Sequence, residues 1–113
     1  MKNNHIDYIE FRAKDLGAVK EFYRTCFHWK FTDYGPEYCS FENSGVYGGF
    51  RKSDEPPCDG VLVVLYHKEL ESVLQKVREA GGKITKDIFS FPGGRRFHFR
   101  DPSGNELAVW SEP

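Results

Sequence analysis

The sequence predicts an α+β fold built as β-α-β-β-β twice. Three observations carry that prediction. Apolar residues recur with a period of two in short stretches, and at three- and four-residue steps in two longer ones. The order strand-helix-strand-strand-strand is the same over residues 1–51 and 60–113. Between them, Ser53-Asp54-Glu55-Pro56-Pro57-Cys58-Asp59 has the polar, proline-rich composition of a linker, placed at 52–59. Residues 1–113 then form one domain of two modules, a size that buries a modest core. The repeat is one of pattern, not of letters.

In the first module, Ile9, Phe11 and Ala13 alternate with Tyr8, Glu10 and Arg12, which predicts a strand over 6–13. Asp15 is placed to cap a helix. Leu16, Val19, Phe22, Tyr23, Cys26 and Phe27 form its single apolar stripe. Trp29 to Tyr34 reads as the second strand, and Tyr34-Gly35-Pro36-Glu37 as a turn. Tyr38 to Glu42 is the third strand, Asn43-Ser44-Gly45 another turn, and Val46 to Arg51 the fourth strand.

In the second module, Gly60 to Tyr66 is a nearly continuous apolar run, as in a strand covered on both faces. Leu70, Val73, Leu74 and Val77 mark an amphipathic helix closed by Gly81-Gly82. Lys83 to Phe89 is a strand. Phe91-Pro92-Gly93-Gly94 is a loop, either a flap or a static turn. Phe97 and Phe99 then alternate with Arg96, His98 and Arg100. Asp101-Pro102-Ser103-Gly104 follows as a turn. Its Asp accepts a backbone hydrogen bond from two residues on, its Pro presets φ, and its Gly suits the exit. In the last strand Leu107 and Val109 face one way, and Glu106, Ala108 and Trp110 the other.

Composition narrows the function. Aromatic residues are 16% of the chain, enough apolar bulk to argue against disorder. The net charge of −1 provides no basic field for nucleic acid. The longest apolar run, Val61 to Leu65, is too short to span a membrane. Met1-Lys2-Asn3-Asn4-His5 holds no hydrophobic segment. Cys26, Cys39 and Cys58 are odd in number and lack paired spacing, so they read as free thiols of a reducing compartment rather than as a zinc site. A cytoplasmic location is expected.

The hairpin from Arg95 to Trp110, with its aromatic strand, Asp-Pro-Ser-Gly-Asn turn and apolar strand ending in Trp, resembles a known family. It is similar to the C-terminal hairpin of the glyoxalase/bleomycin-resistance/extradiol-dioxygenase superfamily, the vicinal oxygen chelate proteins. Phe11-Arg12-Ala13-Lys14-Asp15-Leu16, Phe22-Tyr23 and Phe27-His28-Trp29-Lys30-Phe31 resemble its opening strand, helix and second strand. Val77 to Ile84 resembles the second helix running into its strand. The resemblance covers nearly the whole chain. It implies curled mixed sheets around a shared cleft, paired either within one chain or by exchange between two chains of a homodimer. His28 stands where the family often has Gly after the helix, so a left-handed cap is expected there at some steric cost.

Metal-dependent members hold a divalent cation on His and Glu side chains from the first and last strands of each module. The resemblance carries those positions to Tyr8, Gly49, Gly60 and Ala108. Tyr, Gly, Gly and Ala cannot supply such a cage, so no metal ligand and no cofactor are expected. Small residues there would leave room for an organic ligand. The strand parity that faces the cleft presents Tyr8, Glu10, Arg12, Tyr47, Gly49, Arg51, Leu62, Val64, Arg96, His98, Arg100, Glu106, Ala108 and Trp110. Aromatic walls with a few polar groups describe a small-molecule pocket. From this set Tyr8, Glu10, Tyr47, Arg51, Leu62, Arg96, His98 and Trp110 are the expected ligand-binding residues. Arg takes a carboxylate or phosphate through two parallel hydrogen bonds, so an anionic or aromatic ligand is expected. Glu10 and His98 are the candidate base and acid if they approach each other. Each has a plainer alternative: Tyr8 and Trp110 as core, His98 as an ordinary strand residue, and the arginines as a solvated edge.

Three functions remain open. The first is a small-molecule binding protein without a metal, similar to the drug-sequestering resistance proteins. The second is a lyase, isomerase or dioxygenase of the same superfamily, with or without a metal. The third is a structural dimer with a vestigial cleft. The missing ligands favour the first over the second.

Overall fold

The structure, a computed structural model, describes residues 1–54, 61–102 and 104–113. Its elements are β1 (Ile6–Ala13), α1 (Leu16–Phe27), β2 (Lys30–Asp33), β3 (Tyr38–Glu42), β4 (Gly48–Lys52), β5 (Val61–Tyr66), α2 (Leu70–Glu79), β6 (Lys83–Phe91), β7 (Gly94–Arg100) and β8 (Glu106–Ser111). The fold is α+β, with the β-α-β-β-β order occurring twice, as the patterning predicts. The linker residues 55–59, Gly60 and Ser103 lie outside the described residues. The chain forms two compact units, Tyr8–Leu62 and Met1–Asp7 with Val63–Pro113.

In the first unit the strand order is β2-β3-β4-β1. β3 is antiparallel to β2 and β4, and β1 is parallel to β4. A parallel pair needs a crossover, which the intervening helix supplies. At the start of α1, Asp15 Oδ1 accepts the Ala18 N–H at 3.0 Å. At its end His28 takes the left-handed conformation, φ 61°. Its N–H donates to the Arg24 carbonyl and the Trp29 N–H to the Tyr23 carbonyl, at 3.1 and 3.3 Å. These bonds offset the crowding of a Cβ in that region.

The helix covers an aromatic core. Ala13, Cys39, Phe41 and Phe50 are buried, with Phe11, Leu16, Val19, Tyr23, Trp29 and Phe31 packed against them. Phe11 stacks on Phe50 at 5.4 Å and Tyr23 on Trp29 at 4.6 Å, within the range where ring pairs attract. Burial pushes the Cys39 thiol pKa up, so this sulfur is an inert core atom. Cys26 is a free, exposed thiol. The fourth strand begins later than expected. Ser44 Oγ donates to the Val46 carbonyl at 2.7 Å and accepts the Val46 N–H at 3.3 Å. Gly45 has φ 94°. This local turn precedes the ladder, in which the Ile9 N–H donates to the Tyr47 carbonyl at 3.0 Å.

In the second unit the order is β5-β8-β7-β6, with β5 parallel to β8 and the other pairs antiparallel. Leu70, Leu74, Phe97 and Val109 are buried between α2 and the sheet, with Leu65, Val73, Val77, Ile84, Ile88 and Phe99 around them. Glu69 provides no side-chain cap for α2. Its own N–H donates to His67 Nδ1 at 2.8 Å, so His67 orders the helix entry. Past the helix, Gly81 has φ 97°. Residues 1–7 join this unit through their bonds. The Asn4 N–H donates to the Tyr66 carbonyl at 2.8 Å, the Tyr66 N–H to the His5 carbonyl at 3.1 Å, and Trp110 Nε1 to Asp7 Oδ2 at 3.0 Å.

One turn differs from its expected form. Phe91 and Gly94 are cross-strand partners, so the predicted loop is a two-residue hairpin turn and β6 runs past Phe89. In the β7–β8 turn the Gly104 N–H donates to the Asp101 carbonyl at 2.9 Å. The Asp101 carboxylate accepts from both the backbone and side-chain nitrogens of Asn105, each at 2.9 Å. The bond expected from two residues on would come from Ser103, outside the described residues. No helix among the described residues is long and apolar enough to cross a membrane.

Gly48 is the tightest point of the first unit. A Cβ there would lie 2.3 Å from both the Ile9 carbonyl oxygen and Phe41 Cζ. Overpacking of this kind costs about 1–3 kcal/mol. Gly48→Ala is therefore expected to lower unfolding stability by about 2 kcal/mol in urea; an unchanged midpoint would show that Phe41 moves aside freely.

Candidate functional site

Alternation along the strands gives each unit one face packed on its helix and one face turned away. In the first unit the second face carries Tyr8, Glu10 and Arg12 of β1, Tyr38 and Ser40 of β3, and Gly49 and Arg51 of β4. The Tyr8 and Tyr38 hydroxyls hydrogen-bond each other. Burial pushes the Tyr8 pKa up, and its bond to Tyr38 opposes that. Gly49 lies directly beneath the pair. A Cβ there would stand 2.5 Å from the Cys39 carbonyl, 2.6 Å from the Tyr38 hydroxyl and 2.8 Å from that of Tyr8. The missing side chain at 49 therefore makes room for two phenols, not for an organic ligand. Glu10 is 6% exposed, and its Oε2 lies 3.6 Å from Arg51 Nε.

In the second unit, register sets the face turned away from α2 in rows. Ala108 pairs with His98 and His98 with Lys86; Trp110 pairs with Arg96 and Arg96 with Phe89. The register of β6 shifts between Phe89 and Lys86 and again between Lys86 and Ile84, so Lys86, and not Asp87, meets His98. The Arg96 guanidinium carbon lies 5.6 Å from the centres of both the Phe89 and Phe91 rings. Trp110 meets Tyr66 edge-on at 5.3 Å and Phe91 at 6.4 Å. Gly94 allows this, since a Cβ there would fall 2.3 Å from the Ser111 carbonyl and 3.1 Å from the Trp110 ring.

In the row of Ala108, His98 and Lys86, the first two are buried and Lys86 is exposed. Ala108 is fully buried, and His98 is 5% exposed. His98 Nδ1 lies 3.3 Å from Glu106 Oε2, and Glu106 also accepts from Thr85 Oγ1 at 3.2 Å. Burial holds the His98 pKa below its ordinary value, helped by the Arg96 and Lys86 charges and opposed by Glu106. The imidazole is therefore neutral near pH 7.

The expected binding residues divide between the two units. Tyr8, Glu10 and Arg51 gather on one face; Arg96, His98 and Trp110 gather on the other. Tyr47 precedes β4 and is 75% exposed, and Leu62 is half-buried on β5. The arginines separate. Arg95 turns to the helix side and grips Glu71 of α2 at 2.6 and 3.2 Å. Arg100 donates to the Gly104 carbonyl at 2.9 Å. Glu10 and His98 each have a partner in their own unit, Arg51 and Glu106. Tyr38, Phe89 and Phe91 were not expected at either face. Tyr38 could have been found by carrying parity from Arg51 across the β3–β4 turn. Phe89 and Phe91 could have been found by counting back from a two-residue Pro92-Gly93 turn, which sets them across from Arg96 and Gly94.

The positions to which the resemblance assigns cation ligands carry a phenol at Tyr8, no side chain at Gly49 and a methyl at Ala108, while Gly60 lies outside the described residues. Among the described residues no three His, Cys, Asp or Glu side chains gather as an ion would require. This donor set does not fit a divalent cation at those positions.

Two β-α-β-β-β modules, each with a polar and aromatic face opposite its helix, define the class. The chain belongs to the Glyoxalase/Bleomycin resistance protein/Dioxygenase superfamily, whose sequence model matches residues 5–109. No curated protein matches the chain. Among solved structures it is similar to a superfamily member from Vibrio splendidus 12B01, at 16% identity and TM-score 0.73 over 93% of this chain and 97% of that one. It is similar to methylmalonyl-CoA epimerase from Mycobacterium tuberculosis at 10% identity and TM-score 0.77, over 100% of this chain and 93% of that one. It is also similar to the Mn(II)-bound glyoxalase from Novosphingobium aromaticivorans, at 22% identity and TM-score 0.70, over 97% of this chain and 39% of that one. At these identities the likeness is one of fold.

The neutral state of His98 links stability to pH. The unfolded chain takes a proton on this ring near the ordinary value of 6.5, whereas the folded chain resists it. The contribution is present in full above that value and is lost as pH falls toward the lower folded pKa. Urea unfolding should show wild type losing stability between pH 7.5 and 5.5, with a flatter profile for His98→Gln. Equal slopes would assign the loss to other groups.

Proposed function

We propose that this chain is a metal-independent small-molecule binding protein of the superfamily. Its ligand is aromatic or anionic and is held on the face of the second unit that carries Arg96 and Trp110. The single observation that carries this reading is the placement of the Arg96 guanidinium against two ring faces, those of Phe89 and Phe91. Stacking fixes the plane of the cation. A guanidinium has five N–H donors, in a fork that matches a carboxylate. Trp110 and Tyr66 supply aromatic wall beside it. Retention of an aromatic acid, drug or metabolite would follow from binding alone, in the cytoplasm and in a homodimer. Net charge gives no reason to invoke nucleic acid.

A second reading has one observation in its favour. The His98–Glu106 pair has the form of an oriented general base, and a lyase, isomerase or dioxygenase would use it, with Glu10 as the other candidate. Turnover of a bound acid would favour this reading; recovery of the unchanged acid favours sequestration.

Titration should separate these outcomes. The chain has two tryptophans, so a Trp29→Phe background isolates Trp110. Benzoate and larger aromatic carboxylates should shift its emission, equally with and without EDTA. Arg96→Ala should weaken binding about 10-fold, the loss of one charge-assisted pair. Loss of binding in EDTA would overturn the metal-independent reading. Light scattering at micromolar concentration should give a dimer mass, and a monomer mass would remove that element of the proposal.

A further inference from the structure

We propose that the His98 imidazole accepts a hydrogen bond from a hydroxyl of the ligand, so that the second unit selects aromatic acids carrying a hydroxyl group. This rests on the reading that Arg96 holds the carboxylate. The ring is 5% exposed, and its Nε2 is buried with no hydrogen-bond partner among the described residues. Its other nitrogen faces Glu106 Oε2 at 3.3 Å. A carboxylate only accepts, so the shared proton sits on Nδ1, and the neutral ring keeps a lone pair at Nε2. A buried acceptor without a donor is costly, and a donor that arrives with the ligand removes that cost.

Chemistry and spacing narrow the ligand. Nε2 takes an O–H or N–H, and rejects a carboxylate or a carbonyl. Arg96 and His98 are alternate residues of β7, so they share a face and stand about 6–7 Å apart along the strand. A benzene ring bearing a carboxylate at one end and a hydroxyl at the other spans a comparable length. Phe89 connects the two positions, lying 5.6 Å from the Arg96 guanidinium and 5.8 Å from the imidazole. Ala108, directly across from His98, adds only a methyl to the same row. Thr85 and Glu106 secure the imidazole from the side away from Arg96. They are positioning residues, since they act on the ligand only through His98.

The test uses matched acids on the full chain with Trp29→Phe. Benzoate is compared with 4-hydroxybenzoate, and phenylacetate with 4-hydroxyphenylacetate, by Trp110 emission. The hydroxylated member of at least one pair should bind about 10-fold tighter, the worth of a neutral hydrogen bond made out of water. His98→Phe should bring that ratio close to one, and Glu106→Gln should reduce it. Nitrogen-15 spectra of the imidazole provide a readout that does not depend on a variant folding. They should show His98 protonated at Nδ1 at pH 7, with the Nε2 resonance moving when 4-hydroxybenzoate is added. Equal affinities within both pairs, or a proton found on Nε2, overturn the inference and leave the Arg96 reading standing. Failure of all four acids to bind overturns both.

Discussion

Phe97 is fully buried beneath α2, and the second unit takes its chemistry from that burial. A strand alternates its side chains, so a ring committed to the helix side commits Arg96 and His98 to the other side. Val109 does the same for Ala108 and Trp110. Slipping the register by one residue would put an arginine and a histidine under the helix and two phenylalanines on the far face. Burying those charges without partners would cost far more than the fold can recover. The hydrophobic core therefore fixes the direction of every polar group that could meet a ligand.

The same architecture gives the two units different surfaces. In the first, Gly49 clears a space that the Tyr8 and Tyr38 hydroxyls occupy, and Glu10 lies buried next to Arg51. That face is closed by its own hydrogen bonds. In the second, Ala108 takes the corresponding place, and its row holds a neutral imidazole anchored at only one nitrogen. The aromatic residues differ in a parallel way. In the first unit they are spent on the core, where Phe11, Tyr23, Trp29, Phe41 and Phe50 pack together. In the second, Phe89, Phe91, Tyr66 and Trp110 stand on the face away from the helix, while aliphatic residues and Phe97 fill the core.

Features set by local chemistry were legible in the sequence. Asp15 could be recognised as a cap, and His28 as a left-handed residue, because each depends on a few neighbours. The alternation of β1, β7 and β8 was legible because their apolar partners are unambiguous. Features set by pairing were not. The register shifts that set Lys86, and not Asp87, across from His98 depend on how β6 meets β7. The turn ahead of β4 depends on a hydroxyl of Ser44 bonding the backbone of Val46. The division of the three arginines depends on where Glu71 and the Gly104 carbonyl fall in space. Strand parity named Arg96, His98 and Trp110 as neighbours, but it could not show that the half-buried Glu106 carboxylate would leave one nitrogen of His98 unmatched.

The attachment of residues 1–7 to the second unit has a consequence for synthesis. Asp7 accepts from the indole of Trp110, 103 positions further along the chain. On the ribosome residues 1–7 must wait until residues 66 and 110 have been made before these hydrogen-bonding partners exist. The residues from Tyr8 to Leu62 have no such delay, because their core is complete within their own span. Such long-range closure is slow relative to local packing. Residues 1–7 therefore settle later than the residues that directly follow them.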